Sequence, residues 1–240
     1  MRRREGLDKI TGCIRVVCMN ASIDTIVFDF DGTLVDSTQA VEQAFRDTLA
    51  EIGETRFRRS GKRNLNTLSC LTLSEMFHAA GITDSDRIDQ AVGTYNRRYL
   101  AISPIHSAPF PEVPQVLQHL RDQNLTLAVA TNERRENLDA LLPAFGLDRY
   151  FEATICENEV SRSKPDPEML NTLLKAMDAD PTKTLMVGDS SLDMEMGRCA
   201  KCRTCGAGYG THSAGQLNAA APDHIIHHPK ELMDLVSGYF

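Results

Sequence analysis

Two aspartates that lie two positions apart are the residues of this sequence best suited to carry chemistry. Asp29 and Asp31 follow the apolar run 26–28, and Gly32 comes directly after them. Side chains two positions apart in a strand share one face, so both carboxylates can point into the crevice at the strand's carboxyl end. One carboxylate can attack as a nucleophile while the other transfers a proton, and together they can hold Mg²⁺. Gly32 allows a sharp turn that brings backbone N–H groups close to an anion.

The segments after residue 109 indicate how this strand end would be positioned. Short apolar runs alternate there with apolar residues at helical spacing, and the runs predict strands at 125–130, 153–156, 184–187, 203–207 and 224–226. Strands that alternate with helices are typical of parallel βαβ units. The sequence therefore predicts an α/β fold with a Rossmann-like, doubly wound parallel sheet.

Residues 37–108 interrupt this alternation. They show helical spacing in three stretches and no convincing strand, which predicts three or four helices inserted between the first two strands of the sheet. The prolines of segment 103–111 resist helix formation, so we expect the return linker there. The predicted parts are a loose extension at 1–21, an α/β core formed by 22–36 together with 109–240, and an α-helical cap at 37–108.

Polar residues recur where the predicted strands end. Five of them follow the second, third and fourth strands of the core: Thr131, Asn132, Lys164, Asp189 and Asp193. Each one alone is best explained as a helix cap or a solvent-exposed side chain. Because the carboxyl ends of parallel strands share one edge, all five can converge on one ligand with Asp29 and Asp31. We therefore interpret the seven residues as a single site.

The spelling and order of these segments resemble the haloacid dehalogenase superfamily of hydrolases. Segment 29–37, Asp-Phe-Asp-Gly-Thr-Leu-Val-Asp-Ser, is similar to the first signature of that superfamily. The segments 130–132, 163–165 and 188–193 are similar to its second, third and fourth signatures. The resemblance covers residues 22–235 and is strongest to the phosphoglycolate phosphatase-like branch, which has a helical cap.

This resemblance implies a Mg²⁺-dependent phosphatase that works through an aspartyl-phosphate. Asp29 would attack phosphorus, while Asp31 would protonate the leaving oxygen and then activate water. The implied Mg²⁺ ligands are Asp29, the main-chain carbonyl of Asp31 and Asp189. Asp193 is implied either to bind the ion or to lie directly behind the residues that bind it. The implied contacts to the phosphoryl oxygens come from Lys164, Thr131, Gly32 and Asn132.

Two other functions stay open on the sequence. A phosphomutase of the same superfamily uses the same pair of aspartates, and a non-catalytic regulatory protein would bind phosphate without turnover. The presence of both Asp29 and Asp31 argues against the regulatory protein, because binding alone does not need a nucleophile and an acid. Phosphoglycolate is the first candidate substrate by resemblance, with sugar phosphates, nucleotides and pyrophosphate also open.

The composition excludes several classes of partner. The 240 residues are 42% hydrophobic and 25% charged, with a net charge of −7, which argues against a nucleic-acid-binding surface. No apolar run approaches the length of a membrane span. We expect a small phosphorylated molecule as the partner, a monomer or homodimer, and a cytoplasmic location with the seven cysteines reduced.

Three further features of the sequence are open to more than one interpretation. The spacing Cys199-x-x-Cys202-x-x-Cys205 resembles that of metal ligands, but three unconnected small residues are the favoured interpretation. Glu112 stands where relatives often have glycine. A basic cluster in the predicted cap is either a solvated loop or a contact for an anionic substrate, and comprises Arg56, Arg58, Arg59, Lys62 and Arg63, with Arg97 and Arg98 as a weaker second group.

Overall fold

The computed structural model describes residues 22–54, 72–212 and 214–238. Its centre is a six-stranded parallel sheet. The strands are β1 (Thr25–Phe28), β4 (Thr126–Thr131), β5 (Ala153–Cys156), β6 (Thr184–Gly188), β7 (Arg203–Ala207) and β8 (His224–Ile226). Their order across the sheet is β5-β4-β1-β6-β7-β8, and every neighbouring pair is parallel. The predicted α/β, doubly wound sheet is confirmed, with β1 at the point where the winding reverses.

Burial on both faces explains why these strands read as continuous apolar runs. All four residues of β1 are buried. Ile26 and Phe28 pack in one hydrophobic cluster, and Val27 packs in a second cluster on the other face. A parallel sheet that is covered on both faces needs apolar side chains at successive positions, not at alternate ones.

Helices cover both faces of the sheet. The described helices after β3 (Ala108–Pro109) are α4 (Val113–Asp122), α5 (Arg135–Ala144), α6 (Glu168–Ala176), α7 (Ser191–Cys199), α8 (Ala214–Ala219) and α9 (Glu231–Ser237). Leu117 of α4 and Leu138 of α5 belong to the first cluster, whereas Leu170 of α6 and Met196 of α7 belong to the second. The predicted strands and the helical patterns of this half of the chain are confirmed to within a residue or two.

Three described helices lie between β1 and β3 in the chain. They are α1 (Thr38–Glu51), α2 (Leu73–Ala79) and α3 (Ser85–His106), and we call them the inserted helices. Aromatic rings hold them together: Phe45 stacks on Phe77 at 5.3 Å, Phe77 meets Tyr95 edge-on at 6.2 Å, and Tyr95 stacks on Tyr99 at 5.6 Å between ring centroids. Such buried aromatic contacts stabilise beyond the area they bury.

The junction of the inserted helices differs from the prediction in two respects. The sequence showed no convincing strand at 37–108, yet Ala108 belongs to a two-residue strand, β3, that pairs antiparallel with β2 (Val35–Asp36). The predicted linker 103–111 is too long, because Ser103 and Pro104 lie within the last turns of α3. Ser103 is fully buried there, so packing of the helix face outweighs the cost of a proline near its end.

Several predictions lie outside the described residues. These are the extension 1–21 and the basic cluster at Arg56, Arg58, Arg59, Lys62 and Arg63. The division of the chain into a core and a cap stays an interpretation, which the inserted helices fit. Within the described ranges, no helix combines the length and the apolar character that a membrane crossing would need.

Candidate active site

The carboxyl edge of the sheet brings the strand-end residues together. Asp29 directly follows β1, Thr131 is the last residue of β4, and Asp189 directly follows β6. Since β4 and β6 are the two neighbours of β1, these three positions adjoin one another. Lys164 comes from the segment between β5 and α6 and reaches the same point. The topology therefore places chain segments that are 135 positions apart in direct contact.

Lys164 is the cation at the centre of the site. Its Nζ donates to Oδ1 of Asp29 at 2.6 Å and to Oδ1 of Asp193 at 2.6 Å, and its side chain is only 3% exposed. Burial disfavours the charged amine, but the carboxylates of Asp193 and Asp29 outweigh it and raise the pKa of Lys164. The lysine therefore stays charged and holds both carboxylates in fixed positions.

Three carboxylates form a group that could hold a cation. Oxygen atoms of Asp29, Asp189 and Asp193 all lie within 4.8 Å of one another, and the three residues are buried. Burial raises the pKa of Asp29 despite the charge of Lys164, and burial followed by the charge of Asp193 raises the pKa of Asp189 to about 6. The group thus has more negative charge than Lys164 offsets. An all-oxygen donor set with excess negative charge fits Mg²⁺.

Asp193 has a second task in the local structure. Its Oδ2 accepts hydrogen bonds from the hydroxyl of Ser190 at 2.6 Å and from the backbone N–H of Ser190 at 3.1 Å, while the Ser190 hydroxyl caps the start of α7. Its Oδ1 accepts from Lys164. Asp193 therefore orients Lys164 and also takes part in the capping box at the start of α7, which fixes the Asp193 carboxylate.

Two glycines allow the backbone to approach Asp189 closely. Gly32 has a φ of +80°, and a Cβ atom there would lie 2.2 Å from Oδ2 of Asp189. A Cβ atom on Gly210 would lie 2.2 Å from the carbonyl oxygen of Gly32 and 2.3 Å from Cβ of Asp189. The backbone N–H of Thr211 then donates to Oδ2 of Asp189 at 2.6 Å. Any larger residue at either glycine would displace the carboxylate.

Asp31 is not part of this group of three carboxylates and binds a residue of the inserted helices. Its Oδ1 accepts a hydrogen bond of 2.9 Å from the hydroxyl of Tyr99, a buried residue of α3. Burial raises the pKa of Asp31, and hydrogen bonds from Ser37 and Tyr99 oppose that rise. The predicted metal-ligating atom of Asp31 is its main-chain carbonyl, so the carboxyl group is available for proton transfer.

Thr131 and Asn132 accept hydrogen bonds that order the loop after β4 and connect it to the loop that carries Lys164. The hydroxyl oxygen of Thr131 accepts from the backbone N–H of Glu133 at 3.0 Å, and Oδ1 of Asn132 accepts from the backbone N–H of Lys164 at 3.4 Å. Asn132 therefore ties the end of β4 to the lysine loop. Both residues line the cavity, but neither caps the following helix, whose N-cap residue is Arg134 and which has no side-chain capping bond.

Residues at the carboxyl edge of the sheet and on the inserted helices line a cavity of about 70 Å³. Six of the predicted residues line it: Asp29, Asp31, Thr131, Asn132, Lys164 and Asp189. Gly32 and Asp193 do not line the cavity themselves. Gly32 packs against Asp189 and Asp193 binds Lys164, and Asp189 and Lys164 both line it. The inserted helices contribute five residues to its wall: Thr38, Val41, Leu73, Met76 and Tyr95. The volume suits a group of a few heavy atoms, such as a phosphoryl group, better than a large ligand.

Sequence reasoning missed four residues of this site. Gly210 and Thr211 follow β7, so the strand-end rule that found the other residues would have found them as well. Glu133 follows Asn132 directly and lines the cavity, but one more charged residue at a helix start carries no signal of its own. Tyr99 falls on the apolar face of a helix, where a tyrosine indicates packing.

The remaining candidate clusters do not join the site. Cys199 is exposed, while Cys202 and Cys205 are buried in the two hydrophobic clusters on opposite faces of the sheet. The cysteines thus take unconnected positions. Arg98 pairs with Glu51 at 2.6 Å and Arg97 with the same carboxylate at 3.4 Å, on the exposed surface of the inserted helices and outside the cavity wall.

The fold and this set of residues define a family. A family model described as haloacid dehalogenase-like hydrolase matches residues 26–207. The chain therefore belongs to the haloacid dehalogenase-like hydrolases, and the sequence-based assignment is confirmed. It is a hydrolase.

Individual relatives agree with this assignment. The pyrophosphatase PpaX of Halalkalibacterium halodurans is 28% identical over 216 residues, which cover 89% of this chain and 97% of that protein. A phosphoglycolate phosphatase of Aquifex aeolicus is 28% identical, with 89% and 97% covered. A crystal structure of a haloacid dehalogenase-like hydrolase from Bacteroides fragilis superposes with a TM-score of 0.81 at 27% identity and covers 88% of this chain and 100% of that one.

Proposed function

We propose that this hydrolase is a Mg²⁺-dependent phosphatase that cleaves a small phosphomonoester through an aspartyl-phosphate. One observation carries the proposal. A carboxylate held by a buried lysine, Asp29, and a second carboxyl group of raised pKa, Asp31, line one cavity of phosphoryl size. We propose that the first attacks phosphorus and that the second transfers a proton.

The first half of the reaction uses Asp29 and Asp31. Oδ1 of Asp29 is bound by Lys164, and Oδ2 accepts no hydrogen bond from the described residues, so Oδ2 is the attacking atom. It forms a bond to phosphorus while the bond from phosphorus to the ester oxygen breaks. Asp31 gives its proton to the leaving oxygen. The raised pKa of Asp31 keeps that proton available.

The second half of the reaction releases phosphate. Asp31, now ionised, accepts a proton from a water molecule, whose oxygen attacks the phosphorus of the aspartyl-phosphate. The bond between phosphorus and Asp29 breaks, which regenerates the carboxylate and frees inorganic phosphate. Tyr99 supports both halves, because its hydroxyl orients the Asp31 carboxyl group towards one position.

Charge balance explains why a cation is part of the proposal. A phosphate dianion that enters this cavity meets Asp29, Asp31 and Asp189, and Lys164 is already shared between two carboxylates. When bound, Mg²⁺ supplies the missing positive charge and polarises the phosphoryl group. Its proposed ligands are Asp29, Asp189 and the main-chain carbonyl of Asp31, with Asp193 adjacent. Thr131, Lys164 and the backbone at Asn132 are proposed to bind phosphoryl oxygens. The backbone N–H of Gly32, which the sequence also suggested for this role, instead donates to the carbonyl oxygen of Val35 at 2.8 Å.

The inserted helices are proposed to be the described part of a cap over this cavity. They supply five residues to its wall and the hydroxyl group that binds Asp31. A cap excludes water from the reacting centre and contacts the part of the substrate that varies. Whether the basic cluster of segment 56–63 contacts an anionic substrate stays a prediction.

The test is release of free phosphate from a panel of phosphomonoesters and pyrophosphate in the presence of Mg²⁺. We expect release by the native protein, and loss of release both in Asp29→Asn and on addition of EDTA. Asp24→Asn is the matched control, because Asp24 is an exposed aspartate five positions away that pairs with Lys183 at the surface. Absence of release by folded native protein would contradict the proposal and favour a phosphomutase or a non-catalytic protein.

A further inference from the structure

Two side-chain hydrogen bonds join neighbouring positions of the long helix α3 to the core. The hydroxyl of Tyr99 donates to Oδ1 of Asp31 at 2.9 Å, and Oδ1 of Asn96 accepts from Nδ2 of Asn137 on α5 at 3.3 Å. Residues three positions apart on a helix lie on one face, about 4.5 Å apart along the axis. The bond at Asn96 therefore holds α3 within one turn of the residue that binds the proposed proton donor.

Asn137 is a polar residue on an otherwise apolar buried face. It is 1% exposed, and the other buried residues of α5 are leucines, Leu138 and Leu141 among them. A buried amide destabilises the fold unless it is hydrogen-bonded. Its Nδ2 also donates to Oε1 of Glu133 at 2.7 Å. The NH₂ group of Asn137 thus makes one bond within the core and one bond across to α3.

The bond to Glu133 fixes the orientation of this amide. Oε1 of Glu133 also accepts from the backbone N–H of Arg134 at 2.8 Å, so this oxygen acts as an acceptor and Asn137 presents its NH₂ group to it. The second hydrogen of the same NH₂ group is then directed to Oδ1 of Asn96. An aliphatic side chain of similar size at position 96 removes that acceptor and leaves the bond between Asn137 and Glu133 in place.

A hydrogen bond constrains α3 in a way that apolar packing does not. Besides its contacts with α1, the helix packs directly against α5. Apolar contacts are non-directional and tolerate a small displacement of one helix along another. The hydrogen bond from Tyr99 to Asp31 requires a defined distance and angle, and a displacement of α3 weakens it. The bond between Asn96 and Asn137 opposes that displacement at the adjacent turn.

We propose that Asn96 and Asn137 are positioning residues, which hold α3 against α5 and thereby keep the Tyr99 hydroxyl on the carboxyl group of Asp31. Neither asparagine contacts the reacting atoms. Both act through Tyr99 on the proton that Asp31 gives to the leaving oxygen. The inference rests on the proposed phosphatase function and deepens it.

A positioning role and a packing role differ in how they depend on the leaving group. Ethyl phosphate loses an alkoxide, which needs the proton of Asp31, whereas acetyl phosphate loses acetate, a stable anion that needs no proton. The two leaving groups are of similar size. The value of kcat/KM reports the reaction as far as the departure of the leaving group. A poorly held proton donor therefore lowers kcat/KM for ethyl phosphate and leaves the value for acetyl phosphate nearly unchanged.

The experiment measures the ratio of kcat/KM for ethyl phosphate to kcat/KM for acetyl phosphate, with Mg²⁺ present. We expect the ratio to fall about three- to tenfold in Asn96→Leu. Asn96→Asp keeps an acceptor for Asn137 and should retain the native ratio, since its added charge acts equally on two substrates of equal charge. Asn171→Leu, on the exposed side of α6, is the matched control and should also retain it. The ratio is insensitive to the fraction of folded protein, because both substrates are measured on one preparation.

A double variant tests whether the effect passes through Tyr99. Tyr99→Phe alone should lower the ratio at least as far as Asn96→Leu does, since it removes the hydrogen bond to Asp31 itself. The combination of Asn96→Leu with Tyr99→Phe should then give the ratio of Tyr99→Phe alone. Two residues that act independently would instead give the product of the two losses.

Two results would overturn the inference. One is an unchanged ratio in Asn96→Leu, which equal losses on both substrates would also give and which would assign the two asparagines to packing. The other is a double variant whose losses multiply. If the native protein releases phosphate from both substrates and this release is lost in Asp29→Asn, either result leaves the phosphatase proposal standing. If the native protein cleaves neither substrate, or acetyl phosphate alone, it has no working proton donor for an ester and both proposals fail.

Discussion

The carboxyl edge of the sheet and the inserted helices contribute to the same cavity in different ways. At the sheet edge, each polar residue is placed by the backbone: it follows a strand, and parallel pairing decides which strands are neighbours. The inserted helices pack through a run of aromatic rings, and the hydroxyl of Tyr99 donates a hydrogen bond to Asp31. The edge thus holds the charged groups of the proposed chemistry. The helices determine how one of those groups is oriented and what surrounds the substrate.

The first prediction tests whether the charge of Lys164 stabilises the carboxylates of Asp29 and Asp193 at the sheet edge. Lys164→Met leaves Asp29 and Asp193 without their buried partner, so we expect the free energy of unfolding in EDTA to fall by about 3–5 kcal/mol and phosphate release to fall by about 10²–10³-fold. Urea unfolding and steady-state kinetics measure the two effects. The control is Lys183→Met, which breaks a pair of 3.1 Å with Asp24 at the exposed surface and should cost less than about 1 kcal/mol. Equal losses in the two variants would contradict a special role for the buried pair.

The second prediction concerns the excess negative charge at the same edge. Because the pKa of Asp189 is raised to about 6 from an ordinary value of 3.8, its ionised form destabilises the metal-free fold. We expect Asp189→Asn to raise Tm in EDTA at pH 7.5 by at least about 2 °C and to remove the further rise that Mg²⁺ gives the native protein.

The pH dependence of this effect has a definite sign. The folded native protein retains a proton on Asp189 between pH 3.8 and about 6, where the unfolded chain has lost it. The cost therefore grows with pH through that window and is complete above it. The gain in Asp189→Asn should be full at pH 7.5 and should shrink as the pH falls towards 4. Asp139→Asn, on the exposed side of α5, serves as the control. A gain that is independent of pH would argue against a charge effect.

The third prediction tests the hydrogen bond that Tyr99 of the inserted helices donates to Asp31. Tyr99→Phe removes the hydrogen bond to Asp31 but leaves the ring, and Tyr99 does not itself line the cavity. We expect kcat to fall about three- to tenfold with KM nearly unchanged, because the proton donor is less well oriented. In the native protein this hydrogen bond lowers the pKa of Asp31, so on its loss the limb of the pH profile that belongs to Asp31 should move to higher pH.

The control for Tyr99→Phe is the same substitution at a tyrosine outside the site. Tyr150→Phe removes a hydroxyl from a buried tyrosine that accepts a hydrogen bond from Arg149, outside the cavity wall. It should leave kcat and the pH profile unchanged. A rise in KM alone in Tyr99→Phe, with an unmoved pH profile, would mean that Tyr99 only packs.

The smallest expected effect lies at the junction of the two regions. Glu112 has a φ of 72°, in the left-handed region that favours glycine, which is the residue that the resemblance leads one to expect there. Glu112→Gly should raise the free energy of unfolding by about 0.5–1 kcal/mol without changing kcat, since its ion pair with Lys230 is exposed. Urea unfolding measures it. Asn124→Gly, at a φ of 62°, should gain less because asparagine tolerates this conformation; an equal gain would contradict the strain at Glu112.

The sequence predicted the fold well because its signals are local. The strands of the sheet are mostly apolar runs of three to six residues, and most of the helices between them have a periodic apolar face. The prediction was wrong at Ser103 and Pro104, where the burial of a helix face outweighs a local helix-breaking residue. It also missed β2 and β3, because two-residue strands leave no period to detect.

The residues of the site also divide into those that local sequence signals indicate and those that depend on tertiary packing. The sequence by itself determined which residues stand at the strand ends, Asp29, Asp31, Thr131, Lys164 and Asp189 among them, because a strand boundary is visible in a few adjacent residues and parallel pairing brings all boundaries to one edge. Only the tertiary structure decided that Tyr99 binds Asp31 across 68 positions and that Asn137 joins Glu133 to Asn96 of α3. Those contacts depend on how the inserted helices pack against the sheet edge, and no local pattern carries the angle and distance of that packing.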